Sequence, residues 1–367
     1  MMVSTSQIPA NAKNDFTSFL KSLASFSGDL SSLSCPTFFL APVSLIEYNE
    51  NWAAQPELFA AIPETPSEKE RLLAVVKWYI SYLNAAFKRR IPQGQIDKKP
   101  FNPILGEQWK MSWMHDQHTT QVICEQVCHH PPITAFHVED KKAGIRLDGH
   151  TGQTSRMAGT TLVCEQFGCG LLDLKDLGEK YLLSNPSLTV RGIWYAAPFI
   201  ELLGTAYIQS STGYYAHFEF SSRGWISGEK NHFKCLINHN ERKTNQWLYK
   251  IEGQWTGQSI LFDFENKQSS PFLDVESLQQ ATHILPPLDQ MGPLESRRVW
   301  SKVAEAIHLQ NASMAKKEKY QVEEQQRAEM HQREKLGVDW QPELFRWVEQ
   351  ESCITQLQDM WMDEIGC

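Results

Sequence analysis

The sequence has no cysteine framework. Its eight cysteines are scattered from Cys35 to Cys367 with no paired CxxC. Neither a disulfide scaffold nor a zinc ribbon is expected, and the chain reads as one of a reducing compartment. Long hydrophobic runs are missing too. A membrane-spanning helix needs roughly 20 apolar residues, and the best candidate, GIWYAAPFIELLG, is broken by Pro198 and Glu201. The opening, MMVSTSQIPANAKNDF, has no basic n-region and no apolar h-region, so no secretory signal is expected. Positive charge is in deficit, with 35 Lys and Arg against 43 Asp and Glu, a net −8. That balance argues against nucleic acid as a partner, which would need a basic face, but leaves room for a local basic pocket that binds a small anion. No G-x-S-x-G elbow, H-E-x-x-H helix or P-loop occurs, so the commonest hydrolase and nucleotide-binding signatures are absent.

What is present is a globular composition, 41% hydrophobic and 11% aromatic. From Asp15, Phe16, Phe19, Leu20 and Leu23 fall on one helical face, with Phe26 at its edge and Gly28 as a natural stop. The opposite face is Ser and Thr with a lone Lys21. Such a helix either packs on the body as a lid or touches a bilayer through packing defects, because it has little charge to attract lipid. A second helix starts at Ser67, with Glu70 completing a capping box. It carries Leu72, Val76, Tyr79, Ile80, Leu83 and Phe87 on one side and ends near Lys88–Arg90. From about Thr119 to Phe264 the texture is that of strands: TTQVICEQV, PITAFHV, SLTVRGIWY, TAYIQS, YYAHFEF, HFKCLI, QWLYKIEGQW and SILFDF. With no helix between them they imply an antiparallel meander, and closure toward a barrel would protect its edges. After Pro293 the pattern is helical and polar. The tail from Val338, with Trp340, Phe345, Trp347 and Trp361, is expected to dock on the body.

One stretch concentrates chemistry: EQVCHHPP, Glu125 to Pro132. Cys124, Cys128, His129 and His130 would make a metal set only off a strand. On a strand, residues four apart lie about 13 Å from one another at roughly 3.3 Å per residue, whereas zinc holds sulfur at about 2.3 Å. No metal is expected. The histidine pair could act as general acid and base, but no nucleophile accompanies it. Proline on the C-terminal side holds the imidazoles stiffly, and imidazole beside phosphate becomes a cationic donor, so an anion clamp fits these residues as well. Further charge is available from KKPFNPILGE, with Lys98, Lys99 and Asn102, and from KYQVEEQQR, with Lys319, Glu323 and Arg327 at i, i+4 and i+8. By itself the second motif also fits a plain surface ladder of ion pairs.

These three motifs together resemble those of the oxysterol-binding protein family, from about Phe16 to Phe345, and the leading helix resembles the lid of its short fungal members. Cys128 stands where the family usually has Ser. The resemblance implies an α+β, mainly β fold: an incomplete many-stranded antiparallel β-barrel around a hydrophobic tunnel, with a lid over residues 1–35 and a lipid-binding domain over 36–367. That domain divides into a helical part (36–118), a strand core (119–265) and a second helical part (266–367). It implies that phosphatidylinositol 4-phosphate is held by its headgroup at Lys99, Asn102, His129, His130, Lys319, Glu323 and Arg327, with Glu323 orienting both cations of its helix. Phe16, Leu30, Leu33, Trp52, Phe87, Phe101, Thr151 and Gln166 would line the lid and tunnel. A sterol, ergosterol or cholesterol, is the expected exchange partner. Polar sterol contacts are nevertheless replaced at Ala86, Phe87 and Thr151, which keeps a different second lipid, or the phosphoinositide alone, open. The implied protein is a cytoplasmic, non-enzymatic transfer protein with no cofactor, peripheral on Golgi or endoplasmic reticulum membranes. The competing class is a lipid hydrolase using the histidine pair.

Overall fold

Short connections between apolar, β-branched runs force each strand back beside its predecessor. The computed structural model, which describes residues 13–25, 35–89, 91, 96–222, 229–243, 246–279 and 281–347, is built on this principle. Its main sheet has 14 strands. They run β3 (Gln108–His115), β4 (His118–Cys128), β5 (Ile133–Asp140), β6 (Ile145–Ala158), β7 (Thr161–Leu174), β8 (Glu179–Leu183), β9 (Ser187–Arg191), β10 (Phe199–Ser210), β11 (Tyr214–Ser221), β12 (His232–His239), β13 (Tyr249–Gln254), β14 (Gln258–Asp263), β15 (Gln268–Asp274) and β16 (Thr282–Ile284). Nearly all neighbours are consecutive and antiparallel; β16 instead returns to the far edge, beside β3. A separate parallel pair joins β1 (Leu40–Ser44) to β2 (Lys99–Phe101). The hairpin between β10 and β11 turns at Gly213, whose φ is 91°.

The sheet is open. β15 and β16 are its edges, and no ladder among the described residues joins them. It also extends beyond the expected strand core of 119–265 at both ends. β3 falls in the span expected to be helical, 36–118, although its residues largely alternate between buried and open positions. β15 is masked in sequence by its polar run and by Pro271, which an edge strand tolerates because one side needs no N–H donor. The two longest strands, β6 and β7, are glycine-rich for a steric reason. A Cβ on Gly149 would lie 2.4 Å from the Cys169 carbonyl oxygen, and one on Gly168, at φ 92°, would lie 2.2 Å from that of His150. Here backbones approach too closely for any side chain.

Helix α1 (Lys13–Ser25), α2 (Pro56–Ala60) and α3 (Glu68–Asn84) precede or cover the sheet, and α4 (Ser296–Val299), α5 (Ser301–His308) and α6 (Ala312–Leu336) follow it. Ser67 caps α3, its hydroxyl accepting from Glu70 N at 3.3 Å and donating to the Glu70 carboxylate at 2.8 Å. The predicted apolar face of α3, from Leu72 through Leu83, is buried in the main core with Trp52, Trp78 and Phe136. A smaller cluster joins Leu40 and Phe101 to Trp300 and Val303 of α4–α5. A third joins Leu23 of α1 to Ile193, with Phe19 and Leu20 alongside. α1 therefore packs on the body. Among the described residues no helix is long and apolar enough to cross a membrane.

Candidate functional site

Three segments converge at one end of the sheet: the turn after β4, the loop after β2, and α6. β4 ends at Cys128, and the next four residues carry the histidines and prolines into β5. Gln126 ties this turn down. Its amide donates to the Cys128 carbonyl at 2.9 Å, and its oxygen accepts from the Thr134 hydroxyl at 2.6 Å. The His130–Pro131 peptide bond is cis, and the two imidazoles meet edge to face with centroids 4.5 Å apart. His130 is exposed and His129 half-buried. Burial, then the neighbouring His130, holds His129 below the ordinary histidine pKa, against the opposing pull of the Pro103 carbonyl and Glu323. Its Nδ1 is buried without a hydrogen-bond partner among the described residues, and buried polar atoms left in that state need an explanation.

β2 and the loop after it are stiffened by Pro100 and Pro103. Lys99 donates to Asn102 Oδ1 at 3.0 Å. Burial lowers the Lys99 pKa, Lys319 lowers it further, and Glu323 and the Cys35 thiol oppose. The loop is closed by Glu107, fully buried, which accepts from Ile104 N and Trp300 Nε1, each at 2.9 Å. Burial pushes the Glu107 carboxyl up to about 7. Its folded-state value therefore lies above its unfolded one, so the native state binds the extra proton and stability falls as pH rises from about 4.5 to about 7. Glu107→Gln keeps the accepting oxygen and is expected to flatten that slope, checked by melting temperature against pH. An unchanged slope would assign it to other groups.

On α6, Lys319 pairs with Glu323. Arg327 does not share that carboxylate; it turns to Glu324, with Nε at 2.7 Å, and lies over the Tyr320 ring at 5.9 Å. The expectation that Glu323 orients both cations is corrected: i, i+3 reach offers Arg327 a carboxylate of its own, while Glu323 faces Lys319, Lys99 and His129. The structure thus gathers Lys99, Asn102, His129, His130, Lys319 and Glu323, and leaves Arg327 directed elsewhere.

The expected lining residues fall into different places. Phe16 packs on Phe38 and Phe39 at 6.3 and 5.7 Å. Trp52 is buried, stacked on Tyr82 with centroids 3.5 Å apart. Thr151 is half-buried on β6, between Thr134 and Gly168 of its neighbours. Gln166 donates to the Pro186 carbonyl at 2.7 Å. Phe87 packs half-buried on the main core, beside buried Ala86. Phe101 is buried, its ring stacked on Trp300 with centroids 4.7 Å apart in the small cluster under α5. Leu30 and Leu33 lie outside the described residues, as do Phe26, Gly28 and Trp361. Three residues with evident structural work around the site were not singled out from sequence: Gln126, Glu107 and Glu125. Their signal was available, since each is a polar residue inside a motif whose neighbours alternate as core.

A family model described as oxysterol-binding protein matches residues 16–311. Protein kes1 of Schizosaccharomyces pombe is 40% identical over 345 residues, covering 93% of this chain and 89% of that protein. Protein KES1 of Mycosarcoma maydis is 36% identical over 365 residues, covering 96% and 93%. Among solved structures, the Osh1 ORD domain in complex with cholesterol superposes with a TM-score of 0.71 at 21% identity, covering 92% of this chain and 88% of that one. The Osh3 ORD of Saccharomyces cerevisiae in complex with PI(4)P gives 0.70 at 21% identity, covering 91% and 87%.

Proposed function

Because the chain belongs to the oxysterol-binding protein family, we propose that it is a lipid transfer protein that binds phosphatidylinositol 4-phosphate and exchanges it for a sterol between membranes. The observation that carries this reading is the gathering of Lys99, His129 and Lys319 around Glu323, beside a buried imidazole nitrogen with no partner among the described residues. A phosphate monoester entering there would take over Lys319 from Glu323, offer an acceptor to the His129 Nδ1, and favour the imidazolium form. Asn102 and His130 would complete the headgroup contacts, and Arg327 would join by leaving Glu324. Two neighbours of the same fold, solved with cholesterol and with PI(4)P, support a site that serves both ligands in turn.

The reading needs no chemical step. Residues 1–35 act as a lid whose apolar face, docked in this structure through Phe16, Phe19 and Leu23, lifts at a membrane surface and closes over the lipid. Burial of apolar lipid surface at about 25 cal/mol/Å² offsets extraction from the bilayer. A shared interior makes the two lipids mutually exclusive, so a phosphoinositide gradient drives the second. The protein would work in the cytoplasm, peripheral on Golgi or endoplasmic reticulum membranes. A second reading, with another lipid in place of sterol, draws on the apolar Ala86 and Phe87 and on the engagement of the Gln166 amide with Pro186.

Transfer is tested with donor liposomes carrying phosphatidylinositol 4-phosphate and acceptors carrying fluorescent sterol. Counter-directed movement of both lipids, recovered unchanged, supports exchange. Movement of the phosphoinositide alone would select the second reading, and a new lipid product would overturn both.

A further inference from the structure

Glu125, the first residue of EQVCHHPP, has no part in the cation cluster, yet its side chain is fully buried on β4. A buried carboxylate has to find donors. It finds three successive main-chain N–H groups in the segment after α6: Glu343 N donates to Oε1 at 2.8 Å, and Leu344 N and Phe345 N donate to Oε2 at 2.8 and 3.2 Å. Consecutive backbone N–H groups form an anion-holding concavity, and here the anion belongs to the protein itself. Gln108 is the cross-strand partner of Glu125, and its amide donates to the Glu343 carboxylate at 2.8 Å. The register continues from Glu125 to Ala135 and from Ala135 to His150, a transverse row on one face of the sheet. The segment follows that row, from Glu343 at its start to Trp347, whose ring lies 6.5 Å from His150.

The same segment is continuous with α6, which packs on α5 and buries little of its own surface. Ala315, in the first turn, is the buried residue of this helix, and the rest is half-buried or exposed. Beyond that turn, Gln326 accepts from Leu105 N at 3.1 Å. Gly337 ends the helix at φ 62°, and Trp340 then covers Gly106, where a Cβ would lie 3.4 Å from the indole. The outer half of α6 is thus tied at Leu105, Gly106, Gln108 and Glu125, all in or beside the two motifs that carry Lys99 and the histidines.

We propose that residues 338–347 form a strap and that Glu125 is its buried anchor, a positioning residue that sets α6, with Lys319 and Glu323, against His129 and His130. The positioning role rests on the headgroup reading above; the strap itself can be measured without lipid. Two full-length variants approach it from opposite sides. Glu125→Gln keeps the shape and removes one accepting oxygen. Leu344→Pro removes one donated N–H from a residue that is itself exposed, leaving the sheet untouched.

Hydrogen exchange of the Glu343 and Phe345 amides, without lipid, is expected to be slow in the unaltered chain and at least about tenfold faster in either variant. Affinity for phosphatidylinositol 4-phosphate in liposomes is expected to fall about tenfold in each variant, with the double variant no worse than either single one. Uptake of a fluorescent sterol should stay within about twofold, which a general loss of folding would not allow. Unprotected amides in the unaltered chain, or unchanged exchange in both variants, would overturn the strap. Parallel loss of phosphoinositide and sterol binding, or additive losses in the double variant, would overturn the positioning role. If the unaltered chain binds no phosphoinositide, the headgroup reading and the positioning role fall together, while amide exchange still decides the strap.

Discussion

Replacing both imidazoles, His129→Ala with His130→Ala, is expected to abolish extraction of phosphatidylinositol 4-phosphate from liposomes while sterol uptake persists. Hydrogen bonds to a charged group contribute about 1.5–3 kcal/mol each, so losing two removes roughly 100-fold or more in affinity. The remaining cations do not compensate. Lys319 and Lys99 already belong to the headgroup site, so neither is a spare donor for the two lost imidazole contacts. The turn should survive the change, because Gln126 secures it through Cys128 and Thr134 and neither histidine is fully buried. Sterol uptake is the control on folding. If phosphoinositide extraction continued at the unaltered level, the histidine pair would lose its assigned role.

Arg71→Ala is expected to cost about 3–5 kcal/mol of stability, read by denaturant unfolding, because it leaves a buried partner charge alone. Arg71 lies in the first turn of α3 and reaches the sheet at β8. Its guanidinium is bidentate on Glu179, with Nε at 2.8 Å from Oε2, and Nη1 also donates to the Thr65 and Pro66 carbonyls at 2.8 and 3.1 Å. The Tyr181 hydroxyl donates to the same carboxylate at 2.8 Å but cannot neutralise it. Replacing both partners, Arg71→Met with Glu179→Gln, should recover most of the loss, since an apolar or neutral pair of similar volume needs no compensating charge. A single-variant loss below about 1 kcal/mol would mean that water reaches Glu179 and that the pair behaves as a surface bridge.

The elements legible in the sequence were those whose pattern is local. α3 declared itself through Ser67 and a run of apolar residues at helical spacing, and β10 and β11 through the β-branched and aromatic runs TAYIQS and YYAHFEF. β15 did not, because an edge strand has one neighbour and no demand for apolar alternation. β6 and β7 were blurred by glycines that exist only because backbones meet there. The motifs were visible as clusters of unusual residues, and their resemblance to one family carried the assignment of ligands.

The sequence by itself settled the mainly β, antiparallel class, the capped central helix, and the three segments that would supply histidine, lysine and a charged helix. These follow from periodicity, turn chemistry and motif, all readable within a few residues. Only the tertiary structure decided which of those groups meet. It brought Glu323 to Lys319 and toward Lys99 and His129, gave Arg327 to Glu324, stacked Phe101 on Trp300, and set Glu125 under three tail amides some 218 residues further along the chain. A buried charge takes whichever donors the fold delivers, and that choice is made by packing across the whole chain, where no local pattern records it.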